Sequence, residues 1–146
     1  MARLRVPPDI YEQMLEHARE EAPNECCGLI GGTPEEARTV YRARNAEGSP
    51  LRYNLDPQDQ FRIMMEMEER GEELAAIYHS HTASPAYPSQ TDINLAFYPD
   101  ALYLIVSLRP EEADPVTGAE SVRAWRIVDG AVHEVVVLQA STPIGG

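Results

Sequence analysis

The segment Glu25-Cys-Cys-Gly-Leu-Ile-Gly31 constrains this chain more than any other. It is apolar over most of its length, too short for a helix, and reads as a buried strand entering the turn Gly32-Thr33-Pro34. Around it, helical and extended patterns alternate. Leu4 to Val6 suit a short strand, and Pro8 opens a helix to about Ala22 with Ile10, Tyr11, Met14, Leu15 and Ala18 on one face. Residues 37–44 read as a strand and residues 45–54 as a polar loop containing Gly48 and Pro50. Asp56-Pro57 starts a second helix, which Phe61, Met64, Met65 and Glu68 carry to about Arg70 before Gly71 stops it. Leu74 to His79 is a strand leading into a loop rich in Ser, Pro and Thr, and Ser89 to about Phe97 is a third, short helix. An apolar strand lies within Tyr98–Leu108, and Val122–Val128 and Ala131–Leu138 flank Asp129-Gly130, a favoured two-residue hairpin turn. The expected architecture is a single-domain α/β fold, a mixed β-sheet flanked by helices. The domain is expected to span residues 1–140, with 141–146 a flexible tail.

Charge removes whole classes of function. The 146 residues carry 24 acidic and 12 basic side chains, all of the latter arginine, for a formal net charge of −12. Nucleic-acid binding and attachment to an anionic membrane both need a positive footprint, so neither is expected. No apolar run approaches the roughly 20 residues of a membrane span. The N-terminal Met1-Ala-Arg-Leu-Arg-Val-Pro-Pro8 lacks the apolar stretch of a signal peptide, and the only cysteines, Cys26 and Cys27, are adjacent. A cytoplasmic protein with two buried, unbridged thiols is the expectation.

The residues able to do chemistry are few. Tyr78-His79-Ser80-His81 ends a strand, and a spacing of two in an extended chain turns both imidazoles to one face, where they can share a metal ion. Ser89 follows eight residues later, and Asp92 lies in the first turn of the helix that Ser89 would cap. Two imidazoles and a carboxylate suit Zn²⁺ and leave a fourth position for water. Taken alone, the pattern also admits two exposed loop histidines beside an ordinary Ser-x-x-Asp capping box, although capping and ligation are compatible. Glu25, at the mouth of the buried strand, is a candidate base or an exposed, inert carboxylate.

Taken together, Glu25, His79-x-His81, seven intervening residues, Ser89 and Asp92 resemble the JAMM (MPN+) metalloprotease signature at every position. The stretch from Tyr78 to Asp92, with Thr82 after the second histidine, and the later Arg126-Ile-Val-Asp-Gly-Ala-Val132 are most similar to actinobacterial, cysteine-releasing members. The resemblance covers nearly the whole chain. It implies a cytidine-deaminase-like fold and zinc held by His79, His81 and Asp92. It further implies that Glu25 takes a proton from the attacking water and passes it to the leaving amine, while Ser89 hydrogen-bonds the polarised carbonyl oxygen. The lack of a His-x-Glu paired with Pro-Cys-x-x-Cys argues against deaminase activity.

The implied substrate is a ubiquitin-like sulfur-carrier protein ending in Gly-Gly, cut after that terminus to release cysteine. Alternatives are trimming of a carrier precursor, isopeptide cleavage, or a non-catalytic scaffold of the same fold. Asn45, Tyr53, Thr82 and Tyr87 lie in loops expected to face the groove, while His17 and His133 lack partners at ligand spacing. Sixteen of the 24 acidic residues precede residue 75, which suits docking of a basic carrier face on that half. The chain's own terminus, Pro143-Ile-Gly-Gly146, raises the idea of a product-mimicking tail, against the plainer expectation of an untethered end.

Overall fold

The computed structural model describes residues 3–139, except Thr117. The elements in chain order are β1 (Arg3–Arg5), α1 (Pro8–Glu21), β2 (Cys27–Thr33), β3 (Glu36–Ala43), α2 (Pro57–Glu69), β4 (Glu73–His81), α3 (Gln90–Asn94), β5 (Leu102–Ser107), β6 (Ser121–Val128) and β7 (Ala131–Leu138). The terminal Gly-Gly and its proposed role lie outside the described residues. Among the described residues, no helix is long and apolar enough to cross a membrane.

The mixed sheet is present, but it closes on itself in the order β1-β3-β2-β4-β5-β6-β7. Closure comes from three-residue β1, which pairs in parallel with β3 on one side and with β7 on the other. Such long-range pairing leaves no local trace in sequence. Strand alternation sorts the central side chains to two faces. Ile30, Ala76, Tyr78, Leu104 and Ala124 pack with Ile10, Met14, Leu15 and Ala18 of α1, and Leu29, Ile77, Ile105, Trp125 and Ile127 pack with Ile63 and Met67 of α2.

Local signals explain most boundaries. Pro8 occupies the start of α1, and the Asp56 side chain caps α2 by accepting from the Asp59 N–H at 3.1 Å. Asp129 and Gly130 both have positive φ, 50° and 79°, which is the two-residue turn that fits the twist of β6 and β7. The buried face of α2 carries Asp59, Ile63 and Met67, whereas Phe61 is 69% exposed and Met65 47%. Apolar residues occur all around this helix, so periodicity cannot choose a face. Asp59 does, since its carboxylate accepts from the Arg44 backbone N–H at 2.9 Å and the Arg44 Nε at 3.1 Å. The third helix is also shorter than expected, ending at Asn94. Tyr98 precedes Pro99 and is steered away from helical backbone, and its N–H donates to the Tyr103 hydroxyl at 3.0 Å.

Gly28 is required by close packing. A Cβ there would stand 2.6 Å from Tyr78 Cζ and 2.6 Å from the Tyr41 carbonyl oxygen. Gly28→Ala should therefore destabilise the fold by about 1–3 kcal/mol in chemical denaturation. A loss below about 0.5 kcal/mol would mean that β2 and β3 separate there without strain.

Candidate metal centre

The centre is assembled by one antiparallel pairing. In the β2–β4 ladder Cys27 lies opposite His79 and Gly28 opposite Tyr78. One step beyond, the Ser80 N–H donates to the Cys26 carbonyl at 3.1 Å and the Cys26 N–H to Ser80 Oγ at 2.8 Å. Carrying that register one residue further sets Glu25 against His81. Because strand side chains alternate, His79 and His81 share the face of Ile77, and Glu25 is placed on that same side. Both histidines belong to β4 itself rather than to the loop after it.

The third group arrives from α3. Ser89 Oγ accepts from the Asp92 N–H at 3.1 Å, and Asp92 Oδ2 accepts from the Ser89 N–H at 2.9 Å, completing a reciprocal cap. The same Oδ2 lies 3.2 Å from His79 Nε2 and 3.0 Å from His81 Nε2, and the two Nε2 atoms are 3.2 Å apart. Capping and convergence thus coexist in one carboxylate. His79, His81 and Asp92 are all buried and form a group that could hold a metal ion.

Surrounding contacts orient these groups. His81 Nδ1 meets the Pro85 carbonyl at 2.7 Å; a carbonyl only accepts, so Nδ1 donates, and Nε2 is left as the nitrogen that faces Asp92 and can offer a lone pair to a metal once its proton is lost. Tyr53 stacks on the His79 ring at 4.3 Å and 21°. Beyond Tyr53 lies a cleft of about 260 Å³ of mixed character, lined by Asn54 and Gln60 as well as by Leu55, Leu95, Phe97, Tyr98 and Tyr103. Trp125 Nε1 donates to the Ala86 carbonyl at 2.9 Å and its ring packs edge-on against exposed Tyr87, which fixes the segment between β4 and α3.

The electrostatics pull two carboxyls in opposite directions. Burial opposes ionisation of Asp92, but hydrogen bonds with His79 and His81 outweigh it and hold the carboxylate far below the ordinary range. Burial lowers His79, whereas in His81 it is overcome by hydrogen bonds to Asp92 and Pro85, and the ring is raised. Glu25 has no such partners. Burial lifts its carboxyl to about 7, with nearby His81 offsetting part of the rise and Asp92 adding to it. Glu25 Oε1 and His79 Nδ1 are buried without a hydrogen-bond partner among the described residues.

Of the expected site residues, His79, His81 and Asp92 are in mutual contact, Glu25 enters from the segment that leads into β2, and Ser89 sits exposed at the cap. Of the loop residues, Tyr53 touches a histidine of the cluster, while Asn45 is bound to the Glu25 backbone. The Pro85 carbonyl was not foreseen, because a backbone acceptor has no sequence signature. Nor was buried His17, whose Nδ1 lies 2.7 Å from the Tyr78 hydroxyl and ties α1 to β4. Cys26 and Cys27 are buried free thiols, raised by burial to about 12 and beyond the ordinary thiol range respectively, and therefore unreactive as they stand.

A closed mixed sheet thus carries, at one end, two imidazoles and a capping carboxylate that could hold a metal ion, beside a buried glutamate. The family profile described as prokaryotic homologs of the JAB domain matches residues 7–128, and the chain belongs to that family. It is 44% identical over 134 residues to the CysO-cysteine peptidase of Mycobacterium tuberculosis, covering 90% of this chain and 87% of that protein. It is 38% identical over 114 residues to the desampylase of Haloferax volcanii, covering 73% and 81% respectively. The solution structure of protein DSY2949 from Desulfitobacterium hafniense superimposes with a TM-score of 0.82 at 32% identity, over 97% of this chain and 95% of that one.

The Glu25 shift carries a stability consequence. The metal-free fold keeps a proton that the unfolded chain releases near the ordinary glutamate value of about 4.5, so stability falls as pH rises from there to about 7. The penalty is fully developed above that range and absent below it. Metal-free Glu25→Gln is therefore expected to exceed the wild type by about 1–3 kcal/mol in urea unfolding at pH 8, the difference closing toward pH 4. Equal stability at pH 8 would contradict the assigned burial of the carboxylate.

Proposed function

We propose that this protein is a zinc-dependent peptidase that hydrolyses the peptide bond after the C-terminal Gly-Gly of a ubiquitin-like sulfur carrier and releases cysteine. One observation carries the proposal: two imidazole nitrogens and a carboxylate oxygen converge beside a buried glutamate, in a chain 44% identical to a CysO-cysteine peptidase. A cytoplasmic setting and kinship with the cytidine-deaminase-like fold belong to the same reading.

The donor set fits the ion. Zinc bonds of about 2.0–2.1 Å in a tetrahedron place ligand atoms about 3.3 Å apart. The three edges here measure 3.0, 3.2 and 3.2 Å. His79, His81 and Asp92 would hold it, and no further protein donor joins them among the described residues. When bound, zinc supplies a Lewis acid that brings the pKa of water from 15.7 to about 7 and polarises a carbonyl.

The remaining work falls to the chain's own groups. Glu25, with its carboxyl near 7, accepts a proton from the water as the oxygen–carbon bond forms and returns it to the amine as the carbon–nitrogen bond breaks. Its buried position keeps bulk water from competing for that proton. Ser89 Oγ already accepts from the Asp92 N–H, which leaves its O–H free to donate to the carbonyl oxygen as negative charge builds there. The carrier's extended Gly-Gly tail would lie along exposed backbone, where glycines admit the close approach that side chains prevent. A second reading keeps the centre and changes the leaving group to a protein lysine or a longer tail; 38% identity to a desampylase favours it. A scaffold without catalysis is disfavoured because every position of the donor set is filled.

The test is intact-mass spectrometry of recombinant ubiquitin-like carriers ending in Gly-Gly-Cys, in an extended tail, or in a lysine isopeptide, after incubation with the zinc-loaded protein. Loss of the single cysteine is expected to be fastest. Glu25→Gln and Asp92→Asn should each reduce turnover by about 10²–10⁴-fold, and chelation should abolish it reversibly. Undiminished turnover in both variants would overturn the mechanism; preference for the isopeptide would select the second reading.

A further inference from the structure

The loop between β3 and α2 holds the candidate base through one side chain. Asn45 Nδ2 donates to the Glu25 carbonyl at 3.1 Å and to the Arg52 carbonyl at 3.1 Å. Its Oδ1 accepts from the Glu47 N–H at 3.0 Å and from the Asn54 N–H at 3.0 Å. Two donors and two acceptors are the whole capacity of a carboxamide in this geometry, and all four are used. The partners also fix which way the amide points, because carbonyls face the nitrogen and N–H groups face the oxygen.

The four bonds connect two parts of the site. Glu25 is gripped at both backbone groups by this loop, its carbonyl by Asn45 and its N–H by the Ser49 carbonyl at 2.9 Å. Arg52 and Asn54, the other targets, flank Tyr53, whose ring lies on His79. The Ala46 N–H to Asn54 carbonyl bond at 2.8 Å and the bridge between Asn45 and Leu55 close the loop behind it. Glu25 itself lies before β2 begins, so the sheet pairing that fixes His79 does not fix the glutamate directly.

We infer that Asn45 is a positioning residue: it clasps the Glu25 backbone to the loop that seats Tyr53 on His79, and so sets the base relative to the histidine pair. This rests on the reading of Glu25 as the proton carrier. All four side-chain bonds of Asn45 go to backbone groups and none to the histidines or Asp92, so its contribution is to hold the carboxyl in place during turnover. Substrate affinity should therefore be nearly untouched when it is altered.

Asn45→Asp discriminates this role from general loop support. The aspartate can still accept from Glu47 and Asn54, which preserves the turn, but cannot donate to Glu25 or Arg52. Asn45→Ala removes all four bonds. With a recombinant carrier ending in Gly-Gly-Cys, both variants are expected to lose about 10-fold or more in kcat with KM changed less than about threefold. Hydrogen exchange on the metal-free protein supplies a second readout. The Glu25 amide should exchange about 10-fold faster or more in Asn45→Asp, while amides within β4 keep wild-type protection. Wild-type kcat in Asn45→Asp, or a kcat loss with an unchanged Glu25 amide, would overturn the inference. If Glu25→Gln proves fully active, the catalytic reading fails instead, and the exchange measurement still reports whether the clasp exists.

Discussion

The structure depends on the antiparallel pairing of β2 with β4. That ladder is central to the closed sheet, and its register places Cys27 opposite His79. Leu29 and Ile77 anchor the same face one step inward, where they join the α2 core. A slip of one residue would turn His79 and His81 toward α1 and bury Tyr78 on the wrong side. The two hydrophobic cores therefore enforce the direction in which the histidines point. Parallel pairing of His81 with Ser107 and of His79 with Ile105 locks the other edge of β4.

Upon that frame the site separates two carboxyls by environment. Asp92 is buried beside two imidazoles and at a helix cap, and it remains an anion. Glu25 is buried with an unpartnered oxygen, and its carboxyl is poised near 7. Divergent environments for neighbouring acids are a mark of divided roles, one group fixed as a charge and one able to carry a proton.

Much of this was legible in the residues themselves because its signals are local. The His79-x-His81 spacing predicts one face of a strand, the Ser89-x-x-Asp92 spacing predicts a cap, and Asp129-Gly130 predicts a hairpin; each depends on neighbours within a few positions. The JAMM resemblance joined Glu25 to them across more than fifty residues, which periodicity could not do. What sequence concealed was nonlocal or carried by backbone. Barrel closure rests on three-residue β1 meeting β7, over a hundred positions away. The seating of α2 is decided by Asp59 and Arg44 rather than by its evenly spread apolar residues, and the His81 tautomer by a proline carbonyl. Asn45 was visible only as a loop residue, since its importance lies in four simultaneous backbone partners.

Zinc is proposed to occupy the space bounded by His79 Nε2, His81 Nε2 and Asp92 Oδ2. Anomalous diffraction at the zinc edge, on crystals of the zinc-loaded protein, tests it most directly. One strong peak is expected within bonding distance of all three atoms, on the side that Glu25 faces. A peak elsewhere, with that position empty at full zinc loading, would contradict it.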